Sequence, residues 1–119
     1  MKILVISVIF LLILSCSEKP TASNPYDLNY DLPEVSNLVL EQLSGSIRIS
    51  WDYELENIEG FSIKRRVGTV WQDDFALAPA DAREWIDDDV PGGEYIQYRI
   101  AAFAGDNFAD FVPSETVGN

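Results

Sequence analysis

From Pro33 onward, apolar residues recur at every second position in short runs. Residues 46–52 (SIRISWD) set Ile47, Ile49 and Trp51 on one side and Arg48, Ser50 and Asp52 on the other. Such alternation marks a strand, because successive strand side chains point to opposite faces and only one face meets the core. GFSIKRR repeats the device, with Phe61 and Ile63 inward and Ser62 and Lys64 outward. IQYRIAAF predicts Ile96, Tyr98, Ile100 and Ala102 inside, with Gln97, Arg99, Ala101 and Phe103 outside. SNLVLEQ can place Leu38 and Leu40 on one face. Ser44-Gly45, Gly60, Gly68, Pro91-Gly92-Gly93 and Gly105-Asp106-Asn107 punctuate these runs, and no window carries helical spacing. Short strands separated by regular turns predict an all-β antiparallel sandwich.

The first 33 residues follow another pattern. Met1-Lys2 is positive, and residues 3–14 carry no charge. Those 12 residues cannot cross about 30 Å of hydrocarbon, which takes about 20 in a helix. A positive start and a short apolar run predict a secretory signal peptide over residues 1–15. The chain's single cysteine, Cys16, follows immediately, and a lone thiol closes no intramolecular disulfide. Residues 17–33 show little patterning, and Pro20 to Pro25 read as a flexible linker; as such the segment would span roughly 20–25 Å. Within it YDL occurs twice, at Tyr26-Asp27-Leu28 and Tyr30-Asp31-Leu32, bracketed by Pro25 and Pro33, which discourage a helix. This stretch is expected to lie loosely on the domain or to serve as a short docking motif.

Two resemblances sharpen the reading. Ile13-Leu14-Ser15-Cys16 resembles the lipobox of bacterial lipoproteins. That resemblance implies a diacylglycerol on the Cys16 thiol, cleavage before Cys16 and an acylated amino group: a membrane anchor and not a redox thiol. Two or more acyl chains hold a protein durably. Ser17 after the cysteine, where Asp favours inner-membrane retention in that family, implies a cell-envelope protein at the outer membrane. The stretch PEVSNLVL…SIRISWDY…IEGFSIKRR…REWIDDDVPGGEYIQYRIAAFAG…PSETV is similar to a fibronectin type III domain over residues 34–119. Trp51 matches the core tryptophan ending the second strand, Trp85 and Asp87 the positions before the sixth, and Tyr98 to Ala102 the sixth strand. The resemblance implies seven strands in two sheets, A-B-E against C′-C-F-G. One departure concerns the tyrosine corner, which the family places two residues before the position of Tyr98. Ile96 stands there, so either a bulge re-aims Tyr95 or the corner is missing.

Composition narrows the function. The formal charge is −12, and cleavage before Cys16 removes Lys2 and no acid, making it −13. This disfavours nucleic acid and anionic headgroups as partners. The absence of histidine removes the commonest general base and metal ligand. Asp73-Asp74 and Asp87-Asp88-Asp89 read as solvated acidic edges; the second could supply oxygens to calcium but matches no calcium loop. No phosphate loop, nucleophile elbow or zinc spacing occurs, so no enzyme, metal or cofactor is implied. Gly105-Asp106 reads as an ordinary tight turn.

The alternation itself is most distinctive. It sends Tyr95, Arg99 and Phe103 outward beside Lys64 and Arg66 on the neighbouring strand. Either acids on the flanking strands neutralise these cations, or the face binds an envelope or extracellular protein through aromatic and arginine anchors. The alternative function is a carbohydrate-contacting accessory module, with Trp71 the candidate to stack on a sugar.

Overall fold

The computed structural model describes residues 23–118; the expected signal peptide and Cys16 lie outside them. The strands are β1 (Ser36–Leu43), β2 (Ser46–Asp52), β3 (Gly60–Val67), β4 (Val70–Pro79), β5 (Glu84–Asp87), β6 (Tyr95–Ala104), β7 (Asn107–Phe108), β8 (Val112–Pro113) and β9 (Val117–Gly118). No helix occurs among the described residues. One sheet has the order β1-β2-β5, and the other runs β4-β3-β6, with β7, β8 and β9 along the far side of β6. All pairings are antiparallel.

This is the expected A-B-E against C′-C-F-G sandwich, with one difference: the last strand is broken into three two-residue pieces. Pro113 lacks the N–H that a ladder uses. Beside it, the Ser114 hydroxyl stands in for a backbone acceptor, taking the Tyr98 N–H at 3.0 Å, while the Ser114 N–H donates to the Tyr98 carbonyl at 2.8 Å.

Trp51, Phe61, Tyr98 and Ile100 are buried between the sheets, as the alternation predicts. Trp51 and Tyr53 meet Phe61 edge-on, with centroids 5.2 and 5.4 Å away. Edge-to-face pairs of this kind add about 0.5–1.5 kcal/mol to the burial itself. Leu38 and Leu40 both serve the core, although a bulge interrupts β1 between Ser36 and Val39; there Asn37 takes φ 52° and donates to Asp52 at 2.6 Å. A second bulge in β4 lets both Phe75 and Ala76 pack on the core.

The alternation fails in β6 after Ile100, where Ala101, Ala102, Phe103 and Ala104 are all buried. Phe103, expected on the exposed outer face, is only 8% exposed. It does not point inward; Phe108 stacks on it at 5.1 Å and 14°.

The stretch expected to be linker is also different. Residues 24–30 form two successive turns, closed by Asp27 N–H to Asn24 carbonyl at 2.9 Å and Tyr30 N–H to Asp27 carbonyl at 2.8 Å. Asn107, 7% exposed, donates its carboxamide to the carbonyls of Pro25, Asp27 and Tyr30 at 2.8, 3.1 and 3.0 Å. Tyr26 packs against Gly105, and Leu32 enters the core. Buried carbonyls need donors, and the two N–H groups of one side chain reach three of these carbonyls. Residues 24–33 therefore belong to the folded domain as a collar. Gly105-Asp106 is the tight turn expected, with φ +60° at Gly105 between the paired Ala104 and Asn107.

Candidate functional site

The outer face of the larger sheet is built by register. Lys64 lies directly opposite Arg99, Arg66 opposite Gln97 on one side and opposite Trp71 on the other. Lys64 and Arg66 are two residues apart on β3 and so share a face. Three of the expected residues, Lys64, Arg66 and Arg99, thus converge. Directly opposed side chains have Cβ atoms about 4.5–5.5 Å apart, and like charges so placed are destabilising by a fraction of a kcal/mol.

Aromatic rings take up most of this charge. Trp71 reaches across β3, and the Arg99 guanidinium sits 4.1 Å from its ring centroid, with that of Arg66 at 5.8 Å. Lys64 Nζ lies 4.2 Å over Phe111, and Phe111 continues a stack through Phe108 to Phe103. One carboxylate, Asp73, approaches Lys64 at 3.9 Å. Arg66 donates to the Thr116 hydroxyl at 3.2 Å. Among the described residues, the ion pairs involve Arg48, Lys64 and Arg65; neither Arg66 nor Arg99 has a carboxylate within reach. The expectation that acids on the flanking strands neutralise the face holds for Lys64 alone.

The other candidates divide. Tyr95 is 67% exposed, lies against Gly118 and forms no tyrosine corner. Phe103 is covered, and the ring that stacks on it, Phe108, is itself 49% exposed. Trp71 is half-buried, and the ring face that Arg99 covers is closed to a sugar.

A second polar cluster lies inside. Arg65, 5% exposed, pairs with Asp87, 1% exposed, at 2.9 Å. Arg65 also donates to the Asp89 carbonyl at 2.9 Å and to Gln72 at 2.7 Å, and lies over the Phe75 ring at 4.3 Å. The Tyr98 hydroxyl donates to Asp87 at 2.5 Å. Burial, then this bond, push the Tyr98 phenol well above its ordinary range. Asp87 is therefore no solvated edge, unlike exposed Asp73, Asp74, Asp88 and Asp89, and both its oxygens are occupied, the other by the Asp89 N–H at 3.1 Å. The alternation could have found Arg65, since Phe61 and Ile63 inward put it inward too. Nothing in the pattern marked Phe111, which lies between strands.

Comparison with known proteins bears on the fold. No family model and no curated protein matches the sequence. Among solved structures, the chain is similar to a fibronectin type III domain of human collagen XX, with 17% identity and a TM-score of 0.63 over 85% of this chain and 98% of that one. A computationally redesigned β-sandwich protein is similar at 15% identity and TM-score 0.62, over 74% and 92%. A pectate lyase of Erwinia chrysanthemi, solved with tetragalacturonic acid, matches at 18% identity and TM-score 0.57, over 71% of this chain and 28% of that one. The fold is a fibronectin type III-like β-sandwich.

Proposed function

We propose that this chain is a lipid-anchored cell-envelope protein, favouring the outer membrane, whose sandwich is a non-catalytic module that binds another envelope protein through the outer face of β4-β3-β6. The observation that carries it is the pair Arg66 and Arg99. A chain of formal charge −12 gathers them beside Lys64 and leaves both without a carboxylate among the described residues. Arginine beside half-buried aromatic surface is the composition of protein-binding anchors. The anchor rests on Ile13-Leu14-Ser15-Cys16 and places the domain close to the membrane. With residues 24–33 docked as a collar, only residues 17–23 separate Cys16 from the domain, and seven residues reach at most about 25 Å.

Two experiments test this. Mass spectrometry of the mature N-terminus should find an acylated Cys16, and Cys16→Ser should release the protein from membranes; an unmodified thiol would sink the anchor. Crosslinked pull-down from the native envelope should lose its partner with Arg66→Glu plus Arg99→Glu, substitutions that leave the core untouched. Unchanged capture by that variant would leave the module a tethered spacer. Phe103→Ala is unsuitable as a probe, because the ring is buried and its loss would weaken the fold.

A further inference from the structure

We infer that the partner meets this face with carboxylates: an acidic protein segment that also carries apolar side chains. The inference rests on the reading of the face as a protein-binding surface, and deepens it. Lys64, Arg66 and Arg99 form a triangle, with one edge set by strand opposition, one by a two-residue step along β3 and one by the diagonal between them. Among the described residues a single carboxylate, Asp73, approaches the three, and it reaches Lys64 alone, at 3.9 Å. Like charges held together cost folding stability, and nothing inside the described domain relieves this cost in full. A bound carboxylate would. Arginine forks suit carboxylates, which accept two parallel hydrogen bonds. Trp71 lies under the Arg99 guanidinium at 4.1 Å, while Arg66 sits farther from the ring, at 5.8 Å, with one nitrogen on the Thr116 hydroxyl; neither guanidinium meets a carboxylate among the described residues.

The rest of the chain is strongly acidic, yet charges beyond about 8 Å are largely screened at physiological ionic strength. The local triangle therefore decides the sign of the nearest group, while the distant acids disfavour a partner that is acidic throughout. A few acidic residues in an otherwise apolar segment reconcile the two. Phe108, half-exposed in the middle of the Phe103-Phe108-Phe111 stack, and Tyr95, exposed on the same side of β6 as Arg99, supply apolar contacts on this face. A bare phosphate would use the guanidinium groups and leave these side chains idle.

The test is a peptide array probed with the detergent-solubilised full chain. Its eight-residue peptides alternate Leu or Phe with Glu, Gln or Lys. The Glu series should bind and the Gln and Lys series should not. Affinity should fall about tenfold or more between 50 and 300 mM NaCl, as expected for exposed charge pairs. Arg66→Gln or Arg99→Gln should each weaken binding at least fivefold, and Arg99→Lys should keep more than Arg99→Gln. Equal binding of the Glu and Gln series would overturn the inference, as would salt-insensitive binding. So would binding only to phosphatidylglycerol vesicles, which would assign the triangle to a membrane. The envelope pull-down separates the two claims. A partner lost with Phe108→Ser but kept with Arg66→Gln plus Arg99→Gln would preserve the binding face and refute its carboxylate chemistry. Loss with the arginine pair in both assays supports both.

Discussion

Asn107 offers the sharpest test of the collar. Its carboxamide has two N–H groups and reaches three carbonyls, so one hydrogen is shared. Each protein hydrogen bond contributes about 0.5–1.5 kcal/mol net, so Asn107→Ala removes about 1–3 kcal/mol. The loss is bounded above by the docking free energy of residues 24–33, since a released collar hydrates its own carbonyls. Asn107→Asp discriminates further. It keeps the shape but turns a carboxylate towards three carbonyl oxygens, a repulsive arrangement in a buried setting, and should cost more than the alanine. In a domain of this size each kcal/mol moves Tm by about 4–8 °C. The expected order of melting temperatures is wild type, then Asn107→Ala, then Asn107→Asp. Amide exchange of Asp27 and Tyr30, both donors in collar turns, should quicken in the variants before exchange in β3 or β6 does. If Asn107→Ala stays within about 0.5 kcal/mol of wild type and Asn107→Asp is no worse, the collar is not held as described. For a chain held by Cys16, as proposed, the consequence is reach. Freed to residue 33, the segment after Cys16 grows from seven residues to seventeen, and its greatest span from about 25 to about 60 Å.

Other expectations follow from the core. Arg65→Met should cost about 3–5 kcal/mol by urea denaturation, because it strands the buried Asp87 carboxylate, and adding Asp87→Leu should restore part of the loss. A single variant within about 1 kcal/mol of wild type would show that the pair is not structural. Stability should fall at alkaline pH. Burial, with Tyr30 nearby, raises the Tyr53 phenol to about 12, and Tyr98 is raised as well. Both hold protons in the fold that the unfolded chain releases above about pH 10, so stability is full below that pH and declines as pH rises towards the folded values. Tyr53→Phe should flatten the decline measured between about pH 10 and 12 and cost nothing at neutral pH, since the Tyr53 hydroxyl has no hydrogen-bond partner among the described residues. An unchanged alkaline slope would refute the assignment to Tyr53.

Much of the sandwich was legible because burial on one face imposes period two, and that signal is local. Ile47, Ile49, Trp51, Phe61, Ile63 and Ile100 needed no knowledge of their neighbours. The failures share a cause: each depends on a contact between segments that the alternation within one strand does not carry. Phe103 keeps its outward direction yet is covered by Phe108 from the next strand, and direction alone does not imply exposure. Residues 24–33 look like linker because their backbone satisfies itself in turns and through Asn107, 77 to 82 positions away, and not through a hydrophobic repeat. Within the proposed binding face, the strand pattern placed Lys64, Arg66 and Arg99 together. It could not place Phe111, or tell that Trp71 lies under Arg99, because both contacts cross between strands.

Arg65 and Arg66 show how the sheet turns adjacent identical residues to different ends. They differ only in which side of β3 they face. Arg65 faces inward, where an unpaired guanidinium would be prohibitive, and its surroundings answer with a carboxylate, a backbone carbonyl, an amide and an aromatic ring. Such a completed set leaves nothing for a partner. Arg66 faces outward with one hydroxyl, at 3.2 Å, and a distant ring, and its Nε is buried without a hydrogen-bond partner. Solvent alone could satisfy an exposed arginine, but Arg66 is half-covered, and burying part of a guanidinium without pairing it is costly. The same fold that saturates one arginine leaves the next, with Arg99, short of acceptors. Stability alone would favour an acid opposite Arg66, and the chain has acids in abundance. Gln97 holds that position instead, and the unmet demand for a carboxylate is what a partner can supply.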